Sequence, residues 1–370
     1  MSPPARLGLA MPGLGHLASG RLVAGVGLLL LDVVWLGAGV LGWPRAAQLT
    51  ESWHGLVSLV FWFGMAAGLW GAAWAHAFPR SLSEAERHGA MRVAWRQFRG
   101  HTTGMLGLFG VLMLLSATVL TPMLAPFDPV AIDVGDKNMP PGGVFWMGTD
   151  KFGRDVLSRL LHGGRVSLTV GFIAVSLAAT IGTGVGAVAG YVGGRVDRAL
   201  MWLTDLMLSV PRLVLLLAIA GLFRVPGDAK LYLLVVILGL TGWMGVSRIV
   251  RSEVLSLRER EFVIAARALG MSTPRIILRH ILPNALAPVI VYCSLAIGTT
   301  ILAEAALSFL GLGVPPPTPT WGAMVNDARQ FLRSAPWSAL FPGLAIVAAV
   351  MSFNLLGDGL RDALDPKLRT

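Results

Sequence analysis

The segment from Arg258 to Asn284 carries the residue spacing that best fits binding to a protein partner. It is too polar to cross a membrane, yet its apolar residues recur with the period of a helix. A narrow apolar stripe is predicted from four residues at positions i, i+3, i+4 and i+7, namely Phe262, Ala265, Ala266 and Leu269. Because two of them are alanines, this face can enter a shallow groove at close backbone distance.

A turn and a second short helix are predicted to follow this stripe. Gly270 suits the end of the first helix, and Ser272 or Thr273 can cap the next one, with Pro274 in its first turn. Three isoleucines then give the second helix an apolar face before Pro283. Basic amphipathic helices bind protein grooves and also anionic lipid, so on physical grounds alone both interpretations stay open.

Four ionisable residues lie in or near long apolar runs: Asp32, Asp205, Arg212 and Glu304. A charge that faces lipid is costly, so these side chains should face a helix bundle, water or one another. Asp205, Arg212 and Glu304 are therefore candidates for residues that line a path through the membrane. Structural pairing or snorkelling of the side chains explains them equally well.

The sequence offers no catalytic motif. No lysine follows a glycine, so the phosphate-cradling motif GxxxxGK[ST] is absent, and the chain is not expected to bind or hydrolyse ATP. The histidines form neither an HExxH pair nor a grouping with Cys293, the one cysteine. A GxSxG nucleophile elbow is also missing. We therefore expect no catalytic residue, no metal site and no cofactor bound by this chain.

Composition identifies the elements that carry these residues. Of the 370 residues, 55% are hydrophobic and 14% charged, which leaves too little polar surface for a water-soluble globule. Apolar runs of roughly 20 residues can each cross a bilayer as a helix. The sequence predicts an all-α polytopic membrane protein with eight spans, at about 20–41, 55–77, 103–123, 166–191, 202–223, 231–250, 285–310 and 338–357.

Charge predicts the orientation of these spans. With eight spans both termini lie on one side, and placing them in the cytoplasm keeps the arginine-rich segments between spans inside, including the seven arginines from Arg248 to Arg279. The net charge of +10 is explained in this way, so a nucleic-acid partner is not expected. Membrane lipid is the expected surrounding, and the cytoplasmic membrane the expected location.

Two parts of the chain are separated by a polar linker at about residues 78–100. We predict an accessory pair of helices with the linker in residues 1–95 and a six-helix core in residues 96–370. In the core, Gly182, Gly186 and Gly190 predict a packing face where another backbone can approach. The proline-rich segment 311–337 predicts an external loop with a short re-entrant or interfacial piece, with Trp321 suited to the membrane interface.

The partner-binding segment resembles the cytoplasmic "EAA" loop of ABC importer permeases. Five residues hold the family's spacing: Ala265, Ala266, Gly270, Leu282 and Pro283. Ile264 departs from the pattern, because it stands where the family often has Glu. Three further stretches resemble the dipeptide, oligopeptide and nickel permease branch, at Met147–Leu168, Glu304–Met324 and Gly357–Arg369. The resemblance covers roughly residues 96 to 370.

This resemblance implies a transport subunit of a bacterial-type importer in the inner membrane. The ATPase-coupling residues would be the stripe and its neighbours, Phe262, Ala265, Ala266, Leu269, Gly270, Leu282 and Pro283. Two nucleotide-binding ATPase subunits would bind ATP and Mg, a homologous second permease would pair with this chain, and an extracytoplasmic solute-binding protein would deliver the cargo. The cargo it implies is a di- or oligopeptide.

Two alternatives remain at this point. The same machinery could import nickel or another small solute, because the motifs report the engine and not the cargo. An ion-driven secondary transporter or a structural membrane protein would belong to another class. Neither needs a docking helix pair, and secondary transporters often show paired broken helices, which the sequence does not reveal.

Overall fold

The computed structural model describes residues 90–364 except 224 and 226–228. The predicted spans at 20–41 and 55–77, with Asp32, lie outside the described residues. Within them the chain is helical, and the β-structure is one isolated antiparallel bridge between Thr149 and Asp155. The predicted all-α membrane fold is confirmed.

Eleven of the helices between residues 90 and 364 receive labels. They are α1 (Ala90–Gly100), α2 (Thr102–Val119), α3 (Val156–Val192), α4 (Gly194–Leu208), α5 (Arg212–Leu222), α6 (Ala229–Leu240), α7 (Trp243–Leu257), α8 (Glu261–Ala268), α9 (Leu282–Phe309), α10 (Trp321–Ala328) and α11 (Trp337–Leu364). Short turns of helix lie at Thr121–Leu124, Val134–Asp136, Thr273–Ile276 and Arg329–Phe331, and a π-helical turn at Ile277–Ile281.

The long apolar helices agree with the predicted six-span core. Five stretches are long and apolar enough to cross a membrane: Thr102–Val119, Val156–Val192, Ala229–Leu257, Thr273–Phe309 and Trp337–Leu364. The pair α4 and α5 makes a sixth span if it is counted as one. These two helices are bent by 84° at the break before Arg212, so the predicted single helix at 202–223 is wrong. Pro211 stands in the break, where its ring and missing N–H interrupt a helix.

Two compact units make up the described chain. The first contains residues 90–166 and 317–364, and its helices α2 and α11 pack closely through glycines. A side chain at Gly104 would come within 2.8 Å of the Cα of Gly359, so only glycine allows this approach. Phe98, Met105 and Phe109 form the apolar cluster beside this contact.

The second unit contains residues 167–316, and in it α3 packs against α7. A side chain at Gly182 would lie 2.6 Å from the carbonyl oxygen of Trp243, and one at Gly190 would lie 2.9 Å from that of Arg251. Gly186 likewise faces the backbone of Ser247. The predicted glycine packing face is confirmed, because three missing side chains let the two backbones approach.

Candidate functional site

The helix α8 and the turn after it have the predicted form. Gly270 has a φ of +77°, a left-handed conformation that glycine adopts without strain. The amide of Gly270 donates to the carbonyl of Arg267 at 3.0 Å, and the amide of Met271 donates to that of Ala266 at 3.2 Å. This pair of bonds satisfies the last carbonyls of the helix and fixes the reversal of the chain. Gly270 therefore ends α8, as predicted.

The second helix of this segment is longer than predicted. Ser272 occupies the capping position with extended backbone but makes no capping hydrogen bond, and Pro274 lies in the first turn. Through the π-helical turn Ile277–Ile281 the helix then continues into α9, so Thr273–Phe309 is one long helical stretch. Pro283 does not end it, because proline is tolerated in the first turn of α9 after the wider π turn.

The buried face of α8 consists of Val263 and Ala266, which are 0% and 4% exposed. Both belong to one apolar cluster with residues of α3, α7, the π-helical turn and α9, including Val250, Ile281 and Val289. The prediction that Ala266 lies on an outward stripe is therefore wrong. At about 100° per residue, Ala266 lies between the directions of Phe262 and Val263, so its side chain belongs to the inner edge of the stripe.

An outer stripe remains on the exposed side of α8, formed by Phe262, Ala265 and Leu269. Phe262 is 42% exposed and Leu269 is 79% exposed, and Ala265 is exposed between them. Of the other residues expected in this site, Pro283 is exposed and Leu282 is half-buried against the same apolar cluster as Ala266. The structure thus separates the predicted residues into an outward set and an inward set.

Polar contacts attach this region to neighbouring helices of the same unit. Arg258, which precedes α8, donates from Nη1 to the carbonyl oxygen of Gly190 at 3.0 Å. Arg251 of α7 donates to both carboxylate oxygens of Asp197 in α4, at 2.5 and 2.6 Å. Such a two-point contact fixes direction as well as distance. Sequence reasoning missed these contacts because they join residues 54 to 68 positions apart.

Two of the candidate ionisable residues have structural partners. Asp205 pairs with Arg248 of α7 at 2.5 Å, where both side chains are largely exposed. Glu304 is fully buried in α9, and its carboxylate accepts hydrogen bonds from Ser167 at 3.0 Å and from Ser308 at 2.7 Å. These contacts favour the structural-pairing alternative for both residues.

Arg212, the third candidate, lines a cavity of about 190 Å³ in the second unit. The cavity lies between residues of α3, α5, α6, α7 and α9. Its polar side chains are those of Arg212, Tyr292, Thr299 and Thr300, and its other lining residues are apolar or glycine. Nε of Arg212 is buried and has no hydrogen-bond partner within the described part of the chain.

Ion pairs stabilise the stretch Met147–Leu168, and those of Asp150 and Arg154 are buried in the first unit. Asp150 accepts hydrogen bonds from the backbone and the guanidinium of Arg154, and Asp327 pairs with Lys151 at 2.9 Å. Trp321 is buried, and its indole donates to the carbonyl oxygen of Leu160 at 3.0 Å. The prediction of an interfacial Trp321 is therefore wrong, since the indole N–H finds its partner inside the fold.

Comparison with known proteins finds two family models that match parts of this chain. Residues 182–370 match the family described as "Binding-protein-dependent transport system inner membrane component", and residues 89–141 match the "N-terminal TM domain of oligopeptide transport permease C". A chain of the inward-facing MetNI methionine ABC transporter superposes with a TM-score of 0.43 at 20% identity, covering 56% of this chain and 96% of that one.

The chain aligns with three curated relatives over most of the length of each. The dipeptide transport system permease protein DppC of Alkalihalophilus pseudofirmus is 42% identical over 75% of this chain and 90% of its own. The oligopeptide transport system permease protein OppC of Bacillus subtilis is 37% identical over 75% and 89%. The glutathione transport system permease protein GsiD of Pectobacterium atrosepticum is 40% identical over 77% and 95%. The chain therefore belongs to the binding-protein-dependent inner-membrane permease family, in its dipeptide and oligopeptide group: it is a membrane-embedded permease of an ABC importer and not itself an enzyme.

Proposed function

We propose that this permease imports di- or oligopeptides and that the outer stripe of α8 couples it to ATPase subunits. The observation that carries the coupling proposal is the division of α8 into two faces. Val263 and Ala266 attach it to the apolar cluster, while Phe262 and Leu269 remain exposed. Removing a leucine side chain from water contributes about 2 kcal/mol, so a partner that covers the stripe gains binding energy there.

The packing of α8 against the apolar cluster would transmit a displacement of α8 to other helices. A push on the outer stripe reaches α7 through Val250 and Val254 and reaches α9 through Ile281. The stretch Thr273–Phe309 then runs without a break from this segment to the cavity beside Tyr292. Because a packed core transmits displacement between rigid helices, closure of the ATPase subunits would move the cavity walls.

The partners follow from the family and from the charge pattern. Two nucleotide-binding subunits would carry ATP and Mg, a homologous second permease would complete the path, and an extracytoplasmic solute-binding protein would deliver the peptide. The outer stripe and both termini would then face the cytoplasm, where the arginine-rich segments belong. Of the predicted accessory part in residues 1–95, the stretch before residue 89 lies outside both family matches and would form that accessory part.

The peptide cargo is supported by the relatives, whose names refer to dipeptide, oligopeptide and glutathione transport. Uptake by the whole complex tests it: a labelled dipeptide or tripeptide should enter proteoliposomes only with ATP and the solute-binding protein. Uptake of nickel with no uptake of any peptide would contradict the proposed cargo and leave the coupling proposal standing.

The coupling proposal is tested by one charge placed at two positions of α8. Leu269→Glu puts a carboxylate in the outer stripe, whereas Ile264→Glu puts it on the same helix outside the stripe, at a residue that is also exposed. Leu269→Glu should release the ATPase subunits during purification and abolish uptake, with unchanged amounts of permease in the membrane. Ile264→Glu should keep both properties. If Leu269→Glu also retained the ATPase subunits, lipid contact would be the better explanation of the stripe.

A further inference from the structure

We propose that the cavity beside Arg212 binds the C-terminal carboxylate of a peptide during its passage. This proposal rests on the proposed function and names the chemical group that the permease contacts. Among the described residues, the lining of the cavity contains one guanidinium and no carboxylate. With Nε of Arg212 buried and unpartnered among the described residues, the site lacks an anionic acceptor.

The shape of a guanidinium suits oxyanions such as a carboxylate or a phosphate, and of these two a peptide carries the carboxylate. The planar fork of N–H groups on the guanidinium matches the two oxygens of a carboxylate, and the pair is stronger than a neutral hydrogen bond. Arg212 is partly buried and its Nε has no partner among the described residues, so an anion bound there would offset the cost of removing the guanidinium from water. Every peptide with a free C-terminus carries such a group, whatever its side chains.

The interruption between α6 and α7 places further positive charge at the same cavity. Arg212 is the first residue of α5, directly after the break at residues 209–211, and Gly242 stands between α6 and α7. A side chain at Gly242 would lie 3.7 Å from Nη2 of Arg212, so the guanidinium reaches the interruption between α6 and α7. Neither Pro211 nor Gly242 caps its helix with a side chain. The first amides of α7 follow Gly242, which lines the cavity, and at the positive end of that helix they add to the attraction for an anion.

Hydroxyl groups provide a neutral donor beside the guanidinium. The Thr299 hydroxyl already donates to the carbonyl oxygen of Ala296 at 3.0 Å, whereas the Tyr292 hydroxyl has no hydrogen bond within the described ranges. A side chain at Gly245 would overlap the Tyr292 hydroxyl, so the glycine makes room for the ring beside α7. The remaining walls include Ala174, Ala178 and Ala296, which are small and leave space for different peptide residues.

The test compares a radiolabelled tripeptide with its C-terminal amide, in proteoliposomes that contain the whole complex and its solute-binding protein. The measured quantity is the ratio of uptake of the free acid to uptake of the amide. The solute-binding protein has its own preference, but that preference is the same for every permease variant and cancels when variants are compared. Arg212→Gln should lower the ratio roughly tenfold or more, the value expected for one hydrogen bond to a charged group.

Arg212→Lys keeps the positive charge, so its ratio of acid to amide uptake should lie between those of the wild type and Arg212→Gln. Arg248→Gln removes a different arginine, the partner of Asp205, and should leave the ratio unchanged. An Arg212→Gln complex that retains its ATPase subunits and the wild-type ratio would overturn the carboxylate site. An equal loss of acid and amide uptake would also overturn it, because it would indicate a permanent counter-ion or a lipid phosphate at Arg212.

A wild-type complex that imports neither peptide would refute the proposed cargo and the carboxylate site together, whereas an altered ratio in the variant alone concerns only the site. Should Arg212→Gln fail to assemble, Tyr292→Phe decides the question, because it removes one hydroxyl and no charge. A lowered ratio in Tyr292→Phe supports the site. An unchanged ratio in that variant overturns it.

Discussion

Because α8 has an inward and an outward face, we expect arginine to act differently at its two neighbouring alanines. Ala265 lies on the outer stripe, and Ala266 is 4% exposed inside the apolar cluster with Val263. Arginine at either position should abolish coupling, but for different reasons. Ala265→Arg should block the partner while α8 stays in place. Ala266→Arg should drive α8 away from the bundle.

The fraction of molecules in which α8 is detached follows from the contacts that hold this helix against the bundle. Burial of one valine and one alanine side chain contributes about 3 kcal/mol in total, so the helix is detached in roughly one molecule in a hundred. An unpaired buried guanidinium costs about 3–5 kcal/mol, which equals or exceeds that attachment. The detached state should therefore predominate in Ala266→Arg. The population with Val263 accessible should rise about a hundredfold.

Thiol labelling measures this population directly. In a chain whose Cys293 is replaced by alanine, Val263→Cys introduces a single reporter at a position that is fully buried. Its labelling rate should rise about a hundredfold with Ala266→Arg and remain at the slow starting value with Ala265→Arg. Equal rates in the two variants would refute the inward orientation of Ala266. The transmembrane bundle should stay folded in both, as tested by the amount of permease extracted in detergent.

Three further predictions concern the turn, the orientation and the buried carboxylate. Gly270→Val should release the ATPase subunits while Gly270→Asn keeps most of them. Nothing in the described part of the chain lies within 4 Å of an added Cβ, so only the left-handed backbone opposes the change, and asparagine tolerates that conformation. Equal loss in both variants would count against this reason. In intact cells a cysteine at Ser272 should be shielded from an impermeant thiol reagent and one at Thr318 should react, and the reverse pattern would refute the proposed topology. Glu304→Leu should lower the melting temperature of the purified complex and leave the acid-to-amide uptake ratio unchanged, because the carboxylate serves two serine hydroxyls inside the fold; a changed ratio at normal stability would place Glu304 in the path instead.

The helical membrane core could be predicted from the sequence because hydropathy and length are local properties. Runs of about 20 apolar residues dictate helices whatever surrounds them, and the described spans agree with the predicted ones. The bend before Arg212 could not be recognised from hydropathy, since the apolar run continues across Pro211. The proline itself was the available signal, because it restricts the residue before it and removes one helical hydrogen bond.

The division of α8 into two faces required tertiary information. Spacing at i, i+3 and i+4 defines a stripe that covers about 100° of the helix surface, but it does not say which edge of the stripe is covered by the protein itself. Ala266 fitted the outward set by spacing, yet it packs with Val250 and Ile281 from other helices. The roles of Gly270 and of the glycines of α3 were predictable, because a left-handed turn and a close approach of two backbones are conditions that few other residues satisfy.

The helix α9 connects the segment that carries the outer stripe to the Arg212 cavity. Its N-terminal end continues the segment that carries the outer stripe, and Tyr292 and Thr299 on the same helix line the Arg212 cavity. Glu304 fastens the far end of this helix to α3 through Ser167. A helix held at one end and pushed at the other must tilt or rotate, so the cavity wall between these points moves relative to α3. Release of a bound carboxylate and closure of the ATPase subunits would then be coupled, because both would require α9 to move.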